Sequence, residues 1–140
     1  MAGLIYMLDT NILSEPVKPE PNTSVMAMLK KHRKVTCTAA LVLHEMYYGI
    51  YKLPESKLKR NLQRYLRSLI EHGLFVLPYD QNAAEWHARE RARLAKKGQT
   101  PAFVDGQIAA IAKQNDLVLV TRNQQDFKLF KTLRVENWFG

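Results

Sequence analysis

The sequence has little of what defines several broad classes of protein. It contains one cysteine, Cys37, in 140 residues, which excludes an internal disulfide and a disulfide-stapled secreted scaffold. No uncharged stretch approaches the roughly 20 apolar residues of a membrane-spanning helix. Residues 1–5 lack the positive charge that begins a signal peptide. We therefore expect a cytoplasmic protein that has no association with a membrane.

Acidic residues are also scarce. The chain has 13 Asp and Glu against 21 Lys and Arg, a formal net charge of +8. Such an excess favours a polyanionic partner, and nucleic acid is the first candidate. Hydrophobic residues make up 46% of the chain and charged residues 24%, which excludes disordered and fibrous classes. Because internal repeats and Gly/Ser-rich linkers are also lacking, we expect a single domain over residues 1–140.

Short apolar runs alternate with longer helical patterns along the chain. The runs predict strands at residues 4–8, 35–38, 75–77, 117–120 and 133–135. The helical patterns cover residues 22–32, 39–53, 57–72, 82–97 and 103–115. Pro16, Pro19 and Pro21 predict irregular structure before the first helix. This alternation predicts an α/β sandwich with a central, mainly parallel sheet of four to five short strands flanked by helices.

The three most apolar segments each contain one carboxylate. Residues 1–13 hold only Asp9, residues 39–51 hold only Glu45, and residues 101–112 hold only Asp105. A buried carboxylate without a partner is costly, so it is normally paired, protonated or bound to a metal. If the three converge, a hard divalent cation such as Mg²⁺ or Mn²⁺ would offset their repulsion.

Each of these acids also has a simpler explanation when taken alone. Asp9 could cap a helix, Asp105 could interact with the dipole of its own helix, and Glu45 could pair with a distant Arg or Lys. In favour of a site, Asp9 follows a strand, and ligands of open α/β sheets bind beyond the carboxyl ends of the strands. We therefore interpret the three acids together as a metal site.

A further motif follows the fourth predicted strand, and it completes a family resemblance. The order Asp9-Thr10-Asn11, Glu45, Asp105, Thr121-Arg122-Asn123 and Asp126-Phe127 resembles the PIN-domain nucleases, most closely the VapC-type toxin ribonucleases of bacterial toxin–antitoxin pairs. The resemblance covers essentially the whole chain. It implies a PIN-like three-layer sandwich and a Mg²⁺-dependent, or Mn²⁺-dependent, endoribonuclease that hydrolyses single-stranded or loop RNA.

The resemblance also implies roles for individual residues. Asp9 and Asp105 match the principal metal ligands of the family, and Glu45 matches the third acid. Many PIN domains have Asp where Asn123 stands, so either Asp126 supplies the fourth carboxylate or Asn123 is a neutral ligand. Thr10 and Thr121 are candidates to orient the carboxylates through hydroxyl hydrogen bonds. The four histidines are not spaced as a ligand set.

Basic and aromatic residues provide candidate surfaces for partners. The basic runs near residues 30–34, 57–67 and 89–97 are typical of solvated helix faces, and some could follow an RNA backbone. Arg122, at the fourth motif, is the basic residue that we most expect to contact phosphate. Tyr47, Tyr48 and Tyr51 could belong to the core. The resemblance implies another role for them, in a groove for a VapB-like antitoxin, together with a homodimer.

Two competing hypotheses come from other classes. The first is a catalytically silent PIN-like module that binds RNA or a protein partner, although a mere binder has no reason to concentrate carboxylates near RNA. The second is a phosphotransferase or phosphatase with an aspartyl nucleophile. The common pattern for that chemistry needs an acid at position 11, where Asn11 stands.

Overall fold

A five-stranded parallel sheet forms the centre of the molecule. The computed structural model describes residues 3–140. The strands are β1 (Tyr6–Leu8), β2 (Thr36–Ala39), β3 (Phe75–Leu77), β4 (Val118–Val120) and β5 (Val135–Glu136). Their order across the sheet is β3-β2-β1-β4-β5, and every pair is parallel. The predicted mainly parallel sheet of four to five strands is confirmed.

Six α-helices connect and flank these strands. They are α1 (Thr10–Leu13), α2 (Thr23–Lys31), α3 (Ala40–Tyr51), α4 (Lys57–Glu71), α5 (Gln81–Ala95) and α6 (Phe103–Gln114). The last five agree with the predicted helices within about two residues at each end. Asn22 caps α2 by accepting a hydrogen bond from the Val25 backbone. Gly73 follows α4 with φ +93°, as a glycine after a helix end commonly does.

The segment after β1 is more regular than the prolines predict. Helix α1 forms one turn at residues predicted as a loop, because the Asp9 carboxylate accepts a hydrogen bond from Thr10 N and caps it. A 3₁₀ helix then covers Glu15–Val17, with Pro16 in its first turn. Proline is tolerated there because its missing N–H would have no partner within the helix. The predicted irregular structure is therefore wrong for these two turns.

The strand order defines where a ligand can bind. The chain moves from β1 to β2 and β3 on one side of the sheet, then crosses to β4 and β5 on the other side of β1. The connections leaving β1 and β4 diverge at their carboxyl ends, which is the crevice where parallel α/β sheets bind ligands.

Buried residues of the central strands and of α6 form the core next to this crevice. Met7, Leu119 and Val120 in the central strands have no exposed surface, and neither do Ala109 and Ile111 of α6. Asp9 and Thr121 follow β1 and β4 directly, so packing of the strands places both at the crevice.

Along the described residues 3–140, no helix is both long and apolar enough to cross a membrane.

Candidate active site

Asp9 is the most constrained carboxylate at the crevice. Its residue is only 7% exposed. One oxygen, Oδ1, accepts a hydrogen bond from Thr10 N at 2.8 Å, and the other, Oδ2, accepts one from Thr121 Oγ1 at 2.8 Å. Burial nonetheless raises the pKa of Asp9, although both hydrogen bonds act to lower it, and the charge of Asp126 raises it further. Asp9 is thus a fixed carboxylate whose negative charge is only partly offset.

Thr121 is the centre of the hydrogen bonds that orient Asp9. It has no exposed surface. Its hydroxyl donates to Asp9 and accepts from Asn123 N at 3.1 Å and from Asn11 Nδ2 at 3.4 Å. Asn11 Oδ1 accepts in turn from Arg122 N at 2.9 Å. The predicted hydroxyl hydrogen bond from Thr121 is confirmed. The bridging role of Asn11 was not predicted, because a side-chain contact between distant segments leaves no periodic signal in sequence.

Glu45 approaches the crevice from helix α3. Thr10 Oγ1 donates to Glu45 Oε2 at 3.0 Å, so the second predicted hydroxyl hydrogen bond is also confirmed. The expectation that Glu45 is buried in an apolar segment is wrong: the residue is exposed. Helix α3 buries Val42, Met46 and Ile50, which recur every four residues. Glu45 lies beside that stripe, so its side chain reaches the crevice from solvent.

Asp105 has the clearest electrostatic signature of the four acids. It lies in the first turn of α6 and is partly buried. Burial and, after it, the charges of Asp126, Asp9 and Glu45, in that order, together raise its pKa to about 6. These three charges reach Asp105 only because the fold brings all four carboxylates into one region. Within residues 3–140, none of the four forms an ion pair with a Lys, Arg or His.

The glycine after Asp105 allows close contact between α5 and α6. A Cβ atom at Gly106 would lie 2.2 Å from Nε2 of His87, so the imidazole occupies the space of the missing side chain. His87 is 4% exposed, and its Nδ1 lies 3.0 Å from the Tyr79 hydroxyl. Burial, together with the charge of Arg91, lowers the pKa of His87, which favours a neutral ring. Sequence reasoning found His87 only as a residue outside any ligand set, and its packing role was missed.

The four carboxylates surround one region without touching. In the described part of the chain, no three His, Cys, Asp or Glu side chains are close enough to enclose a metal ion as they stand. Coulomb repulsion acts well beyond the roughly 2 Å of an oxygen–Mg²⁺ bond, so the raised pKa of Asp105 and this separation are compatible. Uncompensated carboxylate oxygens fit a hard divalent cation, which would remove the repulsion between them.

The position of Asp126 is relevant to which residue fills the fourth position of the acidic group. Asp126 belongs to the 3₁₀ helix Gln124–Phe127, where Phe127 is buried and anchors the turn. Its charge raises the pKa values of Asp9 and Asp105, after burial as the main cause in each. The hydrogen bonds of Asn123 come from its backbone: its N–H donates to Thr121 Oγ1, and its carbonyl oxygen accepts from Asp126 N at 3.1 Å. The charge that this segment contributes to Asp9 and Asp105 therefore comes from Asp126, while a role for Asn123 as a neutral ligand stays a prediction.

Comparisons with known proteins agree with this fold and these residues. The PIN domain family matches residues 6–132. The toxin FitB of Neisseria gonorrhoeae is 35% identical over 127 residues, which cover 88% of this chain and 91% of FitB. A tRNA(fMet)-specific endonuclease VapC of Shigella flexneri is 34% identical over 140 residues, covering 96% of this chain and 98% of that protein. The chain therefore belongs to the PIN domain family and, within it, to the VapC-type toxin ribonucleases.

Solved structures give the same result. The chain superposes on FitAcB from N. gonorrhoeae with a TM-score of 0.85 and 32% identity, covering 95% of this chain and 97% of the other. It superposes on DNA-bound VapBC from Salmonella typhimurium with a TM-score of 0.81 and 32% identity, covering 96% and 98%. The resemblance drawn from the acidic motifs is thereby confirmed.

Proposed function

We propose that this protein is a metal-dependent endoribonuclease that acts as the toxin of a toxin–antitoxin pair. The observation that carries the proposal is the group of four uncompensated carboxylates, Asp9, Glu45, Asp105 and Asp126, at the strand ends of a VapC-type PIN domain. Asp9, Glu45 and Asp105 would hold the ion, Mg²⁺ or alternatively Mn²⁺, and Asp126 would complete the site. The substrate is single-stranded or loop RNA, cut in the cytoplasm.

The residues of the chain prepare this site in distinct ways. Thr121 and Thr10 N hold both oxygens of Asp9, so the carboxylate needs no rearrangement to act. Thr10 Oγ1 orients Glu45, and the first turn of α6 holds Asp105 beside the positive end of the helix dipole. A bound divalent ion would make a water molecule more acidic and offset the negative charge that develops on the phosphoryl oxygens.

An exposed aromatic surface supports an antitoxin as partner. Tyr48, Tyr51 and Leu58 are 59%, 61% and 57% exposed, and Tyr47 stacks on Tyr51 with ring centroids 5.8 Å apart. Core packing does not account for residues this exposed, and exposed apolar patches mark interaction sites. Solved relatives include FitAcB and VapBC. We therefore propose that a VapB-like antitoxin covers this surface, and that the chain also forms a homodimer.

One cleavage experiment tests the nuclease function. Purified protein is incubated with single-stranded and hairpin RNA, with Mg²⁺ or with EDTA. We expect cleavage in Mg²⁺, its loss in EDTA and its recovery when Mg²⁺ is restored. Asp9→Asn should lower the rate by about a thousandfold, because it removes one charge from the ion-binding group.

A matched variant controls for the loss of an acid in general. Asp116→Asn also converts Asp to Asn, but Asp116 is exposed, pairs with Arg134 and precedes β4, at the opposite end of that strand from Thr121. We expect it to cleave RNA at the wild-type rate. Cleavage that continues in EDTA or in Asp9→Asn would refute the metal site. A folded wild-type protein that cuts none of the RNAs would instead favour the catalytically silent module.

A further inference from the structure

The segment Asn137–Gly140 is fixed beside the site, although the proposed chemistry does not use it. Trp138 is 3% exposed and packs edge-on against Tyr6, with ring centroids 5.1 Å apart. Asn22 holds the end of the segment: its Nδ2 donates to Gly140 O at 3.1 Å, and its Oδ1 accepts from Gly140 N at 3.4 Å. Phe139 N donates to Asn137 Oδ1 at 2.9 Å. Phe139 therefore has a defined position.

Arg122 lies over the ring of Phe139. The guanidinium carbon is 4.3 Å from the ring centroid. At its other end, the Arg122 backbone N–H donates to Asn11 Oδ1, and Arg122 directly follows Thr121, which binds Asp9. The residue is thus attached to the carboxylate site through its backbone and to Phe139 through its side chain.

The charge of Arg122 has no acidic partner within residues 3–140, where the ion pairs involve other Arg and Lys residues. The acid to consider is the buried Glu15, whose pKa is lowered mainly by the hydrogen bond from Asn22 N and, as the smallest contribution, by the charge of Arg122. However, Glu15 already has Lys18 Nζ 3.0 Å from its Oε1, and its Oε2 accepts from Asn22 N at 2.8 Å. Arg122 is exposed to solvent. A structural ion pair therefore does not account for it.

An arginine supported in this way is suited to binding phosphate. Contact with an aromatic ring restricts the guanidinium, so less side-chain entropy is lost when a ligand binds. Its remaining N–H groups form a planar fork that matches phosphate oxygens. The acidic crevice cannot attract the RNA backbone by itself, so a fixed cation beside it would offset part of the repulsion.

We propose that Arg122 binds a phosphate of the RNA strand next to the carboxylate site, and that Phe139 holds its guanidinium in position. This inference rests on the proposed ribonuclease function. Arg122 acts on substrate binding, whereas Asn11 and Phe139 are positioning residues. The segment Asn137–Gly140 thereby contributes to the substrate site through Phe139.

The test measures RNA binding separately from cleavage. A labelled single-stranded RNA is titrated with Asp9→Asn protein in EDTA, so that the strand stays intact, at several salt concentrations. We expect Arg122→Gln in this background to weaken binding about tenfold and to reduce the magnitude of the salt slope by about 0.7, the value for one lost phosphate contact. Arg122→Lys keeps the charge but not the planar fork of N–H groups, so its affinity for RNA should lie between those of the Asp9→Asn parent and Arg122→Gln. Phe139→Leu should weaken binding about threefold.

Arg33→Gln is the matched control, because it removes the same charge from an exposed residue that precedes β2, at the end of the sheet opposite the crevice. We expect less than a twofold effect. Thermal melting checks that each variant is folded. If Arg122→Gln binds RNA as Arg33→Gln does, the inference is overturned, and loss of antitoxin binding in that variant would show that the residue serves a protein partner.

Cleavage by otherwise wild-type protein separates this inference from the function on which it rests. If the wild type cuts RNA and Arg122→Gln has an unchanged KM, only the role of Arg122 is wrong. If Arg122→Gln raises KM about tenfold with kcat little changed, its role in binding is supported. If the folded wild type neither binds nor cuts RNA, both the proposed function and the inference fail.

Discussion

Helices α5 and α6 pack against each other, yet their acidic residues differ in whether a basic side chain pairs with them. On α5, Glu85 pairs with Arg89 and Glu90 with Arg93. On α6, the only acid of the helix, Asp105, has no basic partner within the described residues. Hydrogen bonds from Arg93 lower the pKa of Glu90, whereas burial and three other carboxylates raise the pKa of Asp105 to about 6. The partly buried pair of Glu90 and Arg93 stabilises the fold, whereas the charge on Asp105 is not offset by a basic group in the described residues.

Asp105→Asn should give the largest effect and separate activity from stability. We expect RNA cleavage to fall about a thousandfold, roughly 4 kcal/mol in activation free energy. In EDTA, the same variant should be more stable than wild type by about 1 kcal/mol at neutral pH, because a repelled and partly buried charge is removed. Cleavage assays and chemical denaturation measure the two quantities. A variant that loses both activity and stability would contradict a ligand-binding role for Asp105.

Gly106→Ala should disturb the contact between the two helices. The new Cβ would overlap the His87 ring, so we expect a loss of about 1–3 kcal/mol in stability and a tenfold or greater loss in cleavage. Adding His87→Ala should restore part of both, because it empties the space that the methyl group needs. His87→Ala alone serves as the control. If the double variant is no better than Gly106→Ala, this packing does not position Asp105.

Glu90→Gln should have effects opposite to those of Asp105→Asn: a loss of stability with little change in RNA cleavage. Glu90 Oε2 accepts from Arg93 Nε at 2.8 Å, and Oε1 accepts from Lys131 N at 3.0 Å. Weakening these charge-assisted bonds should cost about 1–3 kcal/mol in the free energy of unfolding. Cleavage by the folded variant should stay within about threefold of wild type. A large loss of cleavage at full stability would place Glu90 in the site and remove the distinction between the helices.

The pH dependence of stability in EDTA should show the smallest effect. Because the pKa of Asp105 is raised in the fold, its contribution to stability falls as pH increases from its unfolded value to about 6. Because the pKa of Glu90 is lowered, its contribution is present above the unfolded value and is lost as pH falls through the folded value. Asp105→Asn should therefore flatten the profile between pH 4 and about 6, and Glu90→Gln should flatten it at more acidic pH. Denaturation across this range measures both.

Local patterns determined most of what the sequence could predict. The helical patterns depend on residues close together in sequence, so the positions of five helices could be predicted closely. The turns after β1 were missed because the nearby prolines were taken to exclude regular structure, whereas Asp9 caps α1 and Pro16 lies in the first turn of the 3₁₀ helix. The convergence of Asp9, Glu45 and Asp105 could be expected because isolated acids in apolar segments are unusual. The exposure of Glu45, the bridge made by Asn11 and the contact between His87 and Gly106 depend on packing between distant segments.

The hydrogen bond between Thr121 and Asp9 determines when, during synthesis of the chain, the site can assemble. It joins residues 112 positions apart, and β4 pairs with β1 although β2 and β3 lie between them in sequence. Contacts of such long range form only after the later segment is available. A growing chain that ends before residue 121 therefore lacks both the partner of Asp9 and Asp126. The ribosome that makes this protein is not exposed to its assembled site until nearly the whole chain has emerged.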